Sequence, residues 1–371
     1  MSDSKKPSKL SSSNLRIAFD GTPLFRKIDG VGRYTQNLIG AFAKQNPTYD
    51  IRIVGFMDDT LYSKDLLTKY GNITLLRLPF PRRPYQALYS KLARLPVDAF
   101  LPKLDAYVGT NFVNFPFITK APTLIAVHDL AYLEHPEVIE RKNLRYLTKH
   151  VPKTIQESSV LLATSTYTAS QLEAYFQPAR RPVVVSNALD PLFLQDTPES
   201  RKDYILAVGT IEPRKNLSTL IEAYTSLPAG LKHRHPLRIV GNGGWGDTTF
   251  KPDDATITFT GYVSDKDLVK LYREAQLFVF PSIYEGFGLP LLEAMASEIP
   301  IVCSRIAPFI EIAKDTVTYF DPRSPRELAR ALDSLLSLPA APNPEAAKIA
   351  RSYTWQESSE QLSLALSAVI K

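Results

Sequence analysis

YILAVGTIEPRKNLSTLIEAY, residues 204–224, passes from one kind of local structure to another in a few residues. Tyr204 to Thr210 is near-continuously apolar and too short for a core helix. It reads as a strand buried on both faces. After the polar loop, Leu217, Leu220, Ile221 and Tyr224 recur at helical spacing. A strand followed by a covering helix is half of a βαβ unit, and repetition of such units predicts a parallel sheet with helices on both faces.

The unit repeats in both directions. Downstream lie LRIVGNGG (237–244), ITFTGYV (257–263), LFVFPS (277–282), IPIVCSR (299–305) and TVTYFD (316–321), with the helical pattern DKDLVKLYREA between the second and third. Upstream lie LRIAFDG (15–21), DIRIVGF (50–56), ITLLRL (73–78), DAYVGT (105–110), TLIAVHD (123–129), VLLATS (160–165) and PVVVSN (182–187), with helical stretches at 32–45 and 168–176. Between the two series, residues 188–202 are rich in Pro, Asp and Ser. A length of 371 residues agrees with two cores. The predicted fold is α/β: two Rossmann-like, doubly wound parallel-sheet domains facing across a cleft. The first spans 15–188 and is joined by the C-terminal helix 355–371; the second spans 189–354. Residues 1–14, polar, basic and Ser-rich, predict a disordered tail and not a signal peptide.

Composition narrows the class. With 44% hydrophobic and 22% charged residues the chain reads as a globular protein, and no run approaches the ~18 apolar residues of a membrane span. One cysteine, Cys303, excludes an internal disulfide framework and fits the cytoplasm. The net charge of +6 is uneven: Leu76 to Lys103 holds Arg77, Arg82, Arg83, Lys91, Arg94 and Lys103 against Asp98 alone. There Tyr85, Leu88, Tyr89, Leu92 and Leu95 recur at helical spacing. Such a stripe suits an acceptor-binding or membrane-facing surface on the inner face of the cell membrane, or equally a core-facing helix with a solvated basic flank. No nucleic-acid-binding module is present.

The richest motif is PSIYEGFGLPLLEAMA, residues 281–296. Gly286 and Gly288 allow close backbone approach, and a helix is predicted to open near Leu289 with Pro290 in its first turn. The N–H groups of Phe287, Gly288 and Leu289 would form an anion site at that helix N-terminus. Glu293, one turn in, would be ionised and suited to a vicinal diol such as a ribose. In the second motif, 208–224, Gly209 and Thr210 end a strand. Arg214 and Lys215 follow as a candidate pyrophosphate clamp, and Asn216 reads as the helix cap. Lys215→Ala is expected to leave folding like that of the wild type.

These two segments resemble the Glu-x7-Glu and G-x4-RK(G/N) elements of retaining glycosyltransferases of the GT-B fold, glycosyltransferase family 4. The resemblance implies that Glu285 contacts the transferred sugar, that Glu293 holds the ribose, and that Arg214 and Lys215 stabilise the leaving nucleoside diphosphate. It further implies transfer with retention, no metal and no cofactor, with a nucleotide sugar as substrate. A glycine loop at Gly30 and Gly32 would approach the donor phosphates, with Arg33 beside it; a plain tight turn accounts for G-V-G as well. The family pattern places His128 next to the transferred sugar, and the base against Gly261, Tyr262 and Val263. The metal reading of His128, Asp129 and His135 fails on spacing, and the DKD triplet at 265–267 reads as a helix start capped by Ser264. VHDLAYLEHPE and VGTIEPRKNL look most like members using GDP-mannose, with UDP- or TDP-hexoses the alternatives. The implied activity is that of a mannosyltransferase of polysaccharide biosynthesis acting on a glycan or lipid-linked glycan. Competing classes are a nicotinamide oxidoreductase, which lacks a complete glycine fingerprint here, and a non-catalytic nucleotide-sugar-binding protein.

Overall fold

The computed structural model describes residues 14–26, 28–83, 95–96, 98, 100–113, 117–195, 200–245 and 254–370. Residues 1–13 of the predicted tail and Tyr85, Leu88, Tyr89, Lys91, Leu92 and Arg94 of the basic stripe lie outside the described residues. The described residues fall into two compact units. One comprises 14–128, 146–187 and 355–370, and the other 129–145 and 188–354.

All thirteen predicted strands are present. The first unit holds β1 (Arg16–Asp20), β2 (Asp50–Phe56), β3 (Ile73–Leu78), β4 (Ala106–Gly109), β5 (Thr123–Val127), β6 (Val160–Ala163) and β7 (Val183–Val184). They form one parallel sheet in the order β3-β2-β1-β4-β5-β6-β7. Helix Gly30–Gln45 starts where Asp29 accepts the Gly32 N–H at 2.8 Å, a side-chain cap. Its Leu38, Ile39 and Phe42 enter the same apolar cluster as Leu362 and Leu366 of helix Trp355–Ser367.

The second unit holds β8 (Lys202–Val208), β9 (Leu237–Val240), β10 (Ile257–Gly261), β11 (Ala275–Phe280), β12 (Ile301–Ser304) and β13 (Thr318–Phe320), in the parallel order β10-β9-β8-β11-β12-β13. Both faces of this sheet are covered, and β11 shows why its sequence is apolar throughout. Phe278 and Phe280 enter one cluster with Leu291, Met295 and Phe309, whereas Leu277 and Val279 enter another with Leu220, Tyr224 and Leu328. Side chains of a strand alternate between faces, so two covered faces demand a continuous apolar run.

From β8 the chain winds outward through β9 and β10, then returns to lay β11, β12 and β13 on the other side. The loops leaving β8 and β11 therefore diverge at their carboxyl ends, at the switch point where doubly wound sheets bind ligands. Arg214 and Lys215 follow β8, and Glu285 follows β11.

Candidate active site

The loop after β8 is seated by two glycines. Gly209 (φ 155°) donates to Val240 O at 2.9 Å, and Gly241 (φ 152°) donates to Gly261 O at 3.1 Å. A Cβ on Gly241 would stand 1.9 Å from Gly209 O, so only glycine fits there. The sequence reading passed over Gly241; its signal was an isolated glycine directly after a strand. Gly241→Ala is expected to destabilise the fold by at least ~2 kcal/mol in urea unfolding. Gly230→Ala, whose Cβ meets nothing within 4 Å, should be neutral or better. Equal stability of the two variants would refute the close-approach argument.

Pro213–Lys215 then form a turn of 3-10 helix, and Asn216 sits in the left-handed region at φ 54°. The expected cap is not made: no Asn216 side-chain bond reaches a helix N–H. Its amide instead donates to Pro281 O at 3.1 Å and Pro322 O at 2.8 Å, while its Oδ1 accepts from Thr219 at 2.8 Å. Asn216 therefore ties the Arg–Lys loop to the segment after β11. Ile283 N adds a bond to Arg214 O at 2.9 Å.

These ties bring two cations onto one carboxylate. Arg214 Nη1 donates to Glu285 Oε2 at 2.5 Å, and Lys215 Nζ donates to Glu285 Oε1 at 2.6 Å. Ser282 Oγ donates to the same Oε1 at 2.9 Å. The guanidinium also donates to Tyr284 O at 3.1 Å and to Glu212 Oε1 at 3.1 Å and 2.7 Å. Lys215 Nζ lies 5.0 Å from the centre of the Phe280 ring. Lys215 and Glu285 are buried and Arg214 is half-buried. Burial by itself would raise the Glu285 carboxyl, but Arg214 and Lys215 overturn that and hold it at about 2. Burial likewise works against the Arg214 charge, yet Glu285, Glu212 and Asp129 hold it above the usual guanidinium range. For Lys215 burial wins and pulls the ammonium below its usual range, against Glu285. Glu212, Ser282, Tyr284 and Asp129 are residues the sequence reading gave no role in this cluster.

Helix Leu289–Ala296 opens after Gly288, which has φ 118° and no room for a Cβ, 2.8 Å from Phe309 Cε1. Among the described residues no acceptor takes the N–H of Phe287, Gly288 or Leu289. Unpaired N–H groups at a helix start favour an anion. The Phe287 ring is core, edge-on to Tyr353 at 5.6 Å, so only its backbone is available to a ligand. Glu293 is buried on this helix. At the end of β10, Tyr262 is 60% exposed, Gly261 is left-handed at φ 71° and Val263 packs on the core; Thr210 is exposed. Ser264 Oγ accepts the Asp267 N–H at 3.2 Å, the expected cap.

The remaining candidates belong to the first unit. His128 Nε2 bonds Thr110 O at 2.8 Å, which makes Nε2 the protonated nitrogen because a carbonyl only accepts. Tyr34 stands edge-on to its ring at 5.0 Å. Gly30 and Gly32 lie in the first turn of helix Gly30–Gln45. Arg82, read as a surface cation, is half-buried and grips Asp59 with two bonds of 2.7 Å and 2.6 Å, its guanidinium 4.9 Å from the Phe56 ring. Arg83 is exposed.

The family described as Glycosyltransferase Family 4 matches residues 28–192, and the family described as Glycosyl transferases group 1 matches 193–353. The O-antigen chain mannosyltransferase B of Escherichia coli is 29% identical over 335 residues, covering 83% of this chain and 87% of that one. The serotype-specific mannosyltransferase WbdA of Escherichia coli is 29% identical over 244 residues, or 58% of this chain and 29% of that longer protein. Sucrose-phosphate synthase from Thermosynechococcus elongatus superposes with a TM-score of 0.68 at 18% identity, covering 95% of this chain and 98% of that one.

Proposed function

We propose that this chain, which belongs to the glycosyltransferases of family 4 with the GT-B fold, moves a mannosyl residue from GDP-mannose to a glycan, retaining the anomeric configuration and needing no metal. The observation that carries the reading is the meeting of Arg214, Lys215 and Glu285 at the switch point of the second sheet, next in sequence to three unpaired backbone N–H groups. Breaking the bond between the sugar carbon and the phosphate oxygen leaves negative charge on the diphosphate. A buried lysine, a half-buried arginine and fixed N–H dipoles are most effective where such charge develops, because they need no reorganisation.

In this reading Arg214, Lys215 and the N–H groups of Phe287, Gly288 and Leu289 receive the diphosphate, and Glu293 takes the ribose. Gly209 and Thr210 border the phosphates, and Gly261, Tyr262 and Val263 border the base. Glu285 and His128 serve the transferred sugar, and the Gly30–Gly32 turn serves the donor from the first unit. Mannose is favoured because two relatives, each 29% identical over the part matched, are named mannosyltransferases. A chain of repeating sugars, free or lipid-linked, is the acceptor class their names suggest, and the reaction belongs at the cytoplasmic side of the cell membrane.

The test is a donor panel of GDP-mannose, UDP-glucose and TDP-glucose against short mannose oligosaccharides, with and without a chelator, and with the new linkage assigned by NMR. GDP-mannose should be used at least ~10-fold faster than the others, a difference of one good polar contact. The anomeric configuration should be retained, and the chelator should change nothing. Preference for a UDP- or TDP-sugar, inversion, or loss of turnover with chelator would each strike out the corresponding part of the proposal.

A further inference from the structure

The first sheet has a switch point of its own. From β1 the chain winds outward through β2 and β3, then returns to lay β4 on the other side of β1. The loops after β1 and β4 diverge there, where doubly wound sheets bind ligands. Asp20 ends β1 at this spot, and the glycosyl-transfer reading gives it no role.

Asp20 is 3% exposed. Its Oδ1 accepts from the Thr22 N–H at 2.9 Å and from the Thr22 hydroxyl at 2.6 Å. Its Oδ2 accepts no hydrogen bond among the described residues, and no cation there pairs with it. The two arginines whose charge reaches it are committed elsewhere, Arg82 to Asp59 at 2.6 Å and Arg26 to Asp29 at 2.9 Å. Burial raises the carboxyl above its usual range, against the pull of Thr22, Arg82 and Arg26. A buried charge without a partner is costly, and an asparagine would hold the same Thr22 turn without that cost. The charge therefore has a use outside the stability of the fold.

The surroundings define what the open oxygen takes. Arg82 and Arg26 disfavour a metal ion or an ammonium group, and the carboxylate itself disfavours an anion. A neutral hydroxyl donor remains. Beside it lies the half-buried Phe25 ring, whose Cε2 would be 2.5 Å from a Cβ on Gly21. An aromatic ring next to a hydrogen-bonding group suits a sugar, which has an apolar C–H face and a polar edge.

We propose that Asp20 Oδ2 receives a hydroxyl group of the acceptor sugar and so selects acceptors that carry that hydroxyl. The proposal rests on the glycosyl-transfer reading for the role of the sugar, whereas the binding itself is measured without a donor.

Short oligosaccharides of mannose, glucose and galactose are offered to the full chain without nucleotide, and binding is titrated by saturation-transfer NMR. The wild type should bind at least one of them, and Asp20→Asn should weaken that binding at least ~10-fold, the loss of one charge-assisted hydrogen bond. The melting temperature should hold or rise, since the amide oxygen still accepts both Thr22 bonds and no charge is buried. Affinity for GDP, UDP and TDP should stay within about twofold. Among monodeoxy versions of the bound sugar, one should bind the wild type and Asp20→Asn alike, which identifies the hydroxyl. No sugar bound by the wild type, equal binding by the variant, or a lowered melting temperature would each overturn the proposal. So would an equal fall in nucleotide affinity, which would mean that Asp20 acts through the turn packed on Gly32. Failure of GDP-mannose as donor would strike the proposed function and leave these binding results standing.

Discussion

Glu285→Ala should lower the stability of the second unit by about 3 kcal/mol, because it leaves Lys215 buried with no counter-ion. Arg214 suffers less, since Glu212 and Tyr284 O still hold its guanidinium. For a unit of this size the melting temperature should fall by about 6–12 °C. If Glu285 serves the transferred sugar as proposed, the same variant should lose at least ~100-fold in kcat/KM. Glu285→Gln separates the two effects: its amide oxygen can still accept one of the two bonds, so stability should return in part while activity does not. Acid unfolding offers a second check. The Glu285 carboxyl sits at about 2, below its ordinary 4.5, so its contribution is complete above pH ~4.5 and is lost as the pH falls towards 2. In Glu285→Gln that part of the acid sensitivity should vanish. A Glu285→Ala variant as stable and as active as the wild type would remove this carboxylate from both the fold and the site.

Lys215→Ala should lower kcat/KM about ten- to a hundredfold, the loss of the one charge-assisted contact to the leaving group that the proposed function gives it. The sequence alone suggested that folding would be untouched, and the structure corrects this. Lys215 is not a solvated loop cation: its Nζ is 2.6 Å from Glu285 and its stem lies against Gly209. Its removal should therefore also cost about 1–2 kcal/mol, less than Glu285→Ala because Arg214 and Ser282 continue to satisfy the carboxylate. Lys215→Arg should not restore activity, since a forked guanidinium has different length and donor geometry in a buried slot. Full kcat/KM in Lys215→Ala would dismiss the clamp.

Much of this was legible in the sequence for a simple reason. Strands covered on both faces must be apolar throughout, so β11 and β12 stand out as short runs between helical patterns, and the glycines of 286–288 mark where a helix begins. Glu285, Arg214 and Lys215 could be named as site residues, but not their mutual contact. The resemblance gave Glu285 to the transferred sugar and Arg214 and Lys215 to the leaving diphosphate around one ligand, and in the fold they grip one another directly. Asn216 misled because asparagine is both a good cap and a good left-handed residue, and the Pro–Arg–Lys turn before it selects the second. Gly241 was invisible because its constraint comes from a backbone oxygen on another strand.

One feature of the second sheet bears on how the enzyme fails. Arg214 and Glu285 are 71 residues apart and meet only because β8 and β11 are neighbours. Chemistry at this spot is therefore a property of completed strand pairing: heat or denaturant should extinguish turnover along the same curve that reports loss of the sheet, with no fragment of the chain keeping a share of it.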